Sequence, residues 1–210
     1  VGVFGAVGSG KTTLARALFG LEPRATGSIE LAGRPVRFRS PTEAIDSGFA
    51  YVTEDRKKGL VAQLAVTPNI TLANLRAVCR RGFVRGDVER READRFVKNL
   101  RIATPSLAQR VFRLSGGNQQ KVVLAKWLFC KSRVLILDEP TRGIDVGAKA
   151  EVFQIVNSLA REGVGVILIS HEMPEVLGMA DRILVMHRGH FVSEFPRGAA
   201  SQESLLAAAS

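Results

Sequence analysis

Short apolar runs alternate with amphipathic stretches along most of the chain. Residues 1–4 read as an apolar strand, 5–10 as a glycine-rich loop, and 11–19 as a helix with Leu14, Ala17 and Leu18 at helical spacing. Residues 27–38 predict two short strands about a turn at Ala32-Gly33. Ser40-Pro41-Thr42-Glu43 combines a capping box with proline at the first helical position, so a helix starts there and ends near Gly48. A strand follows at 49–52. The same rhythm resumes with a helix from Gly116 to about Cys130 and a buried strand at 133–137. Next come a helix from about Ala148 to Arg161, carrying Val152, Ile155, Val156 and Leu159, and a strand at 164–169. The chain closes on a short helix, a hairpin-like pair at 182–187 and 191–195, and a weak terminal helix. Strands alternating with helices predict an α/β fold whose mostly parallel sheet is covered by helices on both faces.

Residues 56–113 break this rhythm. They are rich in arginine and helix formers, with loop signals at Thr67-Pro68-Asn69 and Thr104-Pro105-Ser106. Asp87 is placed to cap a helix running to about Leu100, with Val88, Phe96, Val97 and Leu100 as its apolar stripe. The section reads as a helical insert within one domain spanning 1–210, with 114–195 completing the α/β core. The chain starts inside a strand with no initiator Met and is expected to be a piece of a longer polypeptide.

Composition narrows the field only a little. With 46% hydrophobic and 24% charged residues in 210, the chain resembles an ordinary globular domain able to bury a core unaided. No run of 18 apolar residues exists to span a bilayer. Cys79 and Cys130 lack metal-type spacing and are expected to be free thiols. The net charge of +10 admits three readings: nucleic-acid binding, attraction to an anionic membrane, or a solvated basic face. Arg80, Arg81, Arg85, Arg90 and Arg91 cluster, but Phe83 is the only aromatic nearby, so a stacking platform for single strands is unsupported.

Chemistry enters with Gly5-Ala6-Val7-Gly8-Ser9-Gly10-Lys11-Thr12, which fits glycine, four residues, then Gly-Lys-Thr, with a strand before it and a helix after. Triphosphate oxygens need many donors at close range. Glycines let backbone N–H groups converge, and the helix N-terminus adds positive potential. Lys11 reaches β- and γ-phosphates, the Thr12 hydroxyl suits Mg²⁺, and Thr13 suits the α-phosphate. Val134-Leu135-Ile136-Leu137-Asp138-Glu139 would deliver two carboxylates to the sheet's carboxyl edge, where ligands bind in open α/β sheets. Asp138 suits a Mg²⁺ contact and Glu139 the polarising of an attacking water. A solvent-reaching strand end would explain the two carboxylates equally well without the phosphate loop.

Leu114-Ser115-Gly116-Gly117-Asn118-Gln119-Gln120-Lys121 offers N–H groups, a hydroxyl and a helix dipole without a lysine, a second anion site. The segment resembles the signature motif of ATP-binding cassette proteins. The resemblance implies a P-loop NTPase fold of the ABC-ATPase type with a helical subdomain, and ATP and Mg²⁺ as cofactors. It also implies that Ser115, Gly116, Gly117 and Asn118 cover the γ-phosphate held by an opposite cassette, so that two cassettes pair head-to-tail. Gly143-Ile144-Asp145 is similar to the family's D-loop, whose Asp145 would touch the partner. His171 matches the switch histidine, a γ-phosphate sensor. His187 and His190 have no such placement and are expected on the surface.

Tyr51-Val52-Thr53-Glu54-Asp55-Arg56-Lys57-Lys58-Gly59-Leu60, Asn69-Ile70-Thr71-Leu72 and Glu139-Pro140-Thr141-Arg142-Gly143-Ile144-Asp145-Val146-Gly147 look like the second cassette of tandem ATPases. Those drive bacterial import of ribose, galactose, xylose and similar sugars. This implies a partner cassette on the same polypeptide, transmembrane permease subunits, indirectly an extracellular sugar-binding protein, and no nucleic acid. It places the chain peripherally at the cytoplasmic face of the membrane. Glu54 stands where most cassettes carry Gln; it can ligate Mg²⁺ but adds negative charge. Lys11 is retained where similar second cassettes often carry Arg, which with Glu139 and His171 argues for a competent site. The alternatives are a soluble cassette acting on nucleic acid or ribosomes, and a non-hydrolysing regulatory cassette, which Glu54 motivates. The family's adenine-stacking position lies upstream of Val1.

Overall fold

The structure, a computed structural model, describes residues 1–209. The chain forms two compact units. The first comprises Val1–Glu54, Arg133–Pro140 and Gly163 onward, and the second Asp55–Ser132 and Thr141–Glu162.

The first unit is built on a six-stranded sheet of β1 (Gly2–Phe4), β4 (Phe49–Val52), β7 (Val134–Asp138), β8 (Gly165–Ser170), β9 (Arg182–His187) and β10 (His190–Pro196). Their order is β10-β9-β1-β8-β7-β4, all parallel except β10, which closes a hairpin on β9. Runs such as Leu135-Ile136-Leu137 and Phe49-Ala50-Tyr51-Val52 are buried throughout, the pattern of parallel strands covered on both faces. Burying each such aliphatic side chain is worth roughly 1.5–3 kcal/mol before entropy is subtracted. The helices of this unit are α1 (Lys11–Leu18), α2 (Pro41–Asp46), α8 (Met173–Met179) and α9 (Gln202–Ala209). Val176 and Ala180 seal one end of the core against Phe4, Ile183, Val185 and Leu205. A second hairpin, β2 (Ile29–Leu31) with β3 (Arg34–Val36), turns through Ala32-Gly33 as expected. Ser40 caps α2 by accepting from the Glu43 N–H, while the Glu43 carboxylate accepts from the N–H of Arg39 rather than of Ser40.

The second unit is mainly helical. It holds α3 (Arg56–Gly59), α4 (Val66–Thr71), α5 (Gly86–Asn99), α6 (Gly116–Phe129) and α7 (Val146–Arg161). The expected insert at 56–113 falls within it, together with α6 and α7. Between α4 and α5 a small hairpin pairs β5 (Cys79–Arg80) with β6 (Phe83–Val84). Its closure moves the start of α5 two residues earlier than predicted. The Arg85 N–H donates to the Val78 carbonyl, so Arg85 becomes the N-cap and Asp87 sits within the first turn, favoured by the dipole rather than capping. Within the expected stripe Val88, Phe96 and Leu100 are buried and Val97 only partly so; Ala93 takes its place. Cys79 and Cys130 are free, as expected. Among the described residues no helix is long and apolar enough to cross a membrane.

Candidate nucleotide site

Strand register explains why the candidate residues of the first unit converge. Phe4 stands opposite Ser170, and Asp138 opposite Ile169. Three neighbouring parallel strands therefore end within one residue of each other, and the residues that follow them are Gly5, His171 and Glu139. Thr53 and Glu54 follow β4, whose Val52 pairs with Leu137.

The phosphate loop is tightly specified. A Cβ at Gly5 would stand 2.3 Å from the Met186 carbonyl oxygen and 2.6 Å from Ser9 Oγ, so no side chain fits there. Gly10 ends the loop at φ +102, a left-handed conformation natural to glycine, and no side chain caps α1. Its first-turn N–H groups are left for another acceptor. The Lys11 side chain is buried and turned back. Its Nζ donates to the carbonyls of Gly5 at 2.6 Å and Ala6 at 2.9 Å, with Ser9 Oγ at 3.5 Å. Burial lowers the pKa of this ammonium, and the Glu139 and Asp138 carboxylates oppose that shift. Thr12 and Thr13 follow on the exposed first turn of α1.

Asp138 is fully buried. Burial raises its pKa, against hydrogen bonds from the Tyr51 and Thr12 hydroxyls and the charge on Lys11. Tyr51 donates to Oδ2 at 3.0 Å, whereas Oδ1 is buried without a hydrogen-bond partner. An orphan carboxylate oxygen beside a threonine hydroxyl fits a hard divalent cation that takes its remaining ligands from phosphate and water. Among the described residues no three His, Cys, Asp or Glu side chains gather as a metal cage.

Glu139 adopts φ +48, a left-handed conformation that costs a non-glycine residue on the order of 1 kcal/mol and recurs at functional sites. Its neighbours hold it there. The Glu139 N–H donates to the Ile169 carbonyl, Oε1 accepts from the His171 N–H at 2.9 Å, and Oε2 lies 2.8 Å from His171 Nδ1. Behind it the Ser170 hydroxyl donates to the buried Glu175 carboxylate at 2.8 Å, and Glu139 Oε2 lies 3.5 Å from the same hydroxyl. Neither Tyr51 nor Glu175 was singled out from sequence. A tyrosine inside a buried strand does signal a hydroxyl in need of a partner. His187 departs from the expected surface placement: it is half-buried, with Nδ1 2.9 Å from the Ala209 carbonyl, because α9 packs against β9.

The signature segment lies in the second unit. Ser115 is the N-cap of α6, but no side chain caps the helix. Asn118 Nδ2 donates instead to Ser115 Oγ at 2.9 Å, and its Oδ1 accepts from the Ala103 N–H at 2.7 Å. A Cβ at Gly117 would lie 2.5 Å from Ala148 Cβ, so this glycine lets α6 approach α7. Lys121 bonds the Arg101 carbonyl at 2.9 Å and pairs with Glu151 at 2.7 Å. Asp145, earlier than the expected start of α7, is that helix's N-cap and accepts from the Ala148 N–H at 2.9 Å.

A glycine-and-lysine phosphate loop, with a carboxylate pair at the end of a nearby parallel strand, defines a P-loop nucleotide-binding cassette. The family model described as ABC transporter matches residues 1–142, and the chain belongs to that family. It is 52% identical to a ribose import ATP-binding protein of Rubrobacter xylanophilus, aligned over 100% of this chain and 42% of that protein. It is 48% identical to a xylose import ATP-binding protein of Geobacillus kaustophilus, over 100% of this chain and 42% of that one. The chain thus spans about two fifths of the length of these curated relatives. The crystal structure of a nucleotide-free ATP-binding cassette from an ABC transporter superposes with a TM-score of 0.80 at 19% identity, covering 99% of this chain and 82% of that chain, a likeness of fold.

Proposed function

We propose that this chain binds ATP and hydrolyses it as one cassette of a pair, and that the pair energises import of a monosaccharide. The observation that carries the proposal is the strained Glu139, held by both the N–H and the ring of His171 at the sheet edge from which the phosphate loop also emerges. An acceptor on a rigid strand end can orient a water for attack on a γ-phosphorus. In this reading the phosphate oxygens replace the Gly5 and Ala6 carbonyls as acceptors for Lys11. The N–H groups of the loop and of α1, with the Thr13 hydroxyl, complete the grip. Glu139 orients the water, and His171 reports the γ-phosphate by exchanging contacts between it and Glu139. Thr12 and Asp138, with Glu54, would hold Mg²⁺, which when bound offsets charge on the triphosphate.

Ser115, Gly116, Gly117 and Asn118 would cover the nucleotide of a partner cassette, and Asp145 would face that partner. The helical section 56–113 would receive a membrane permease, and the basic surface suits the anionic inner leaflet at the cytoplasmic face. Close similarity to ribose and xylose import proteins supports the sugar assignment, with an extracellular binding protein acting through the permease. The test is Glu139→Gln in the full-length protein with its permease. ATP turnover is expected to fall about 10²–10⁴-fold with nucleotide binding retained; undiminished turnover would sink the assignment.

A further inference from the structure

Arg56 opens α3, beside Asp55, whose carboxylate caps that helix by accepting from the Lys57 N–H at 3.0 Å. Lys57 and Lys58 are exposed, but the Arg56 side chain is half-buried and committed. Its Nη1 donates to the Arg142 carbonyl at 2.6 Å, and its Nη2 to the Gly143 carbonyl at 3.2 Å. These two carbonyls belong to the loop that ends on Asp145, the N-cap of α7. The same Nη2 would stand 3.2 Å from a Cβ on Gly116, the first residue of α6, where the Gly143 carbonyl and Ile144 also crowd within 3.4 Å. A single guanidinium therefore joins the backbone of one loop and borders the start of a helix far from it in sequence. A cation at a helix N-terminus works against the dipole, so what keeps it there is its pair of carbonyl acceptors. The planar fork of arginine can serve both acceptors at once; an ammonium is a point charge and cannot reproduce that geometry.

We propose that Arg56 is a positioning residue for the composite nucleotide site. Through the Arg142 and Gly143 carbonyls it holds the Asp145 loop in register with the Ser115-Gly116-Gly117 end of α6, so that both segments present one preformed surface to the nucleotide of a partner cassette. This rests on the reading of those segments as half of a shared site.

The test compares Arg56→Ala and Arg56→Lys with wild type in the full-length protein. It measures ATP turnover, the equilibrium Kd for ATP, the thermal unfolding midpoint, and amide exchange over residues 142–147. The expected result is a turnover loss of tenfold or more in Arg56→Ala, with the Kd for ATP within twofold and faster exchange at 142–147. Arg56→Lys, which keeps the charge, should recover only part of the turnover. If Arg56→Ala fails to fold, Arg56→Lys decides, and a native midpoint with reduced turnover supports the proposal. Turnover within twofold of wild type in the folded variants, unchanged exchange at 142–147, or a Kd that worsens in step with turnover overturns it. Ser115→Ala and Asp145→Ala run in parallel. If these two also turn over normally, the shared-site reading has failed; if they are impaired while Arg56→Ala is normal, only the role of Arg56 has.

Discussion

Helix α1, whose N-cap is Gly10, and helix α6, which opens on Gly116-Gly117, both start in glycine-rich segments with no side chain capping them, and they solve the same electrostatic problem differently. At α1 the chain carries its own cation. Lys11 is buried against the loop carbonyls, and the glycine at its base is walled in by backbone. At α6 there is no lysine. Asn118 braces the Ser115 hydroxyl, and the nearest cation among the close contacts of Gly116 is Arg56, already bound to two carbonyls of another loop. In the proposed function the first helix start holds a polyanion alone, and the second would be one face of a site that a partner cassette completes. The contrast teaches that an uncapped glycine-rich helix start specifies anion affinity, while the neighbouring charges decide whose anion it serves.

Removing the cation should break the comparison most severely. Lys11→Met is expected to lower turnover about 10²–10³-fold, the scale seen when one transition-state donor is deleted, and to weaken ATP binding as well. Ser115→Ala should lower turnover of the pair while leaving the chain's equilibrium affinity for ATP unchanged. Titrations with a fluorescent ATP analogue separate the two, and equal loss of affinity in both would erase the difference between the two helix starts. Steric tolerance is the next test. Gly5→Ala meets a backbone carbonyl at 2.3 Å and should destabilise by about 1–3 kcal/mol, whereas Gly116→Ala meets the Arg56 guanidinium at 3.2 Å and the Gly143 carbonyl and Ile144 at 3.4 Å, a milder crowding that should cost less than about 1 kcal/mol. Urea denaturation midpoints measure both, and similar values would show that the two helix starts are equally confined.

The smallest effect concerns the far end of α6. Lys126 donates to the Gly59 carbonyl at 2.7 Å and lies 4.5 Å from the Trp127 ring centroid, yet burial lowers its pKa to about 8. The folded ammonium therefore loses its proton well below the unfolded one. Between about pH 8 and pH 10.5 the unfolded chain binds more protons, so this group makes stability rise with pH, by at most about 1.4 kcal/mol per unit. Lys126→Met should flatten that part of the stability–pH curve. An unchanged slope in chemical denaturation across this window would show that Lys126 is not the group responsible.

Much of the architecture was readable from local pattern. Hydrophobic period, capping residues and turn glycines located β4, α2, the β2–β3 hairpin and the helix–strand succession from Gly116 onward, because propensity and packing agree there. Reading failed where tertiary contact overrode a local signal. Asp87 is a good capping residue, but the small hairpin closed by Arg85 moved the helix start. His187 is polar enough for a surface, but α9 packs over its strand. The phosphate loop and the Asp138-Glu139 pair were legible because their chemistry sits in contiguous residues. The Tyr51 hydroxyl on Asp138, the Glu175–Ser170 support behind Glu139 and the fork of Arg56 were not, since each links residues whose spacing in the chain carries no information about their distance in space.

By itself, then, the sequence determined the class of site: a phosphate grip on a strand–loop–helix and a carboxylate pair ending a buried strand, both encoded within a few consecutive residues. Only the tertiary structure decided how that site is set. Parallel register brings Gly5, Glu139 and His171 together at one sheet edge, burial leaves Asp138 Oδ1 without a partner and shifts the pKa values of Lys11 and Asp138, and Glu139 is held in a strained backbone by contacts from a neighbouring strand. Desolvation and strand register are properties of the packed molecule, and no window of sequence contains them.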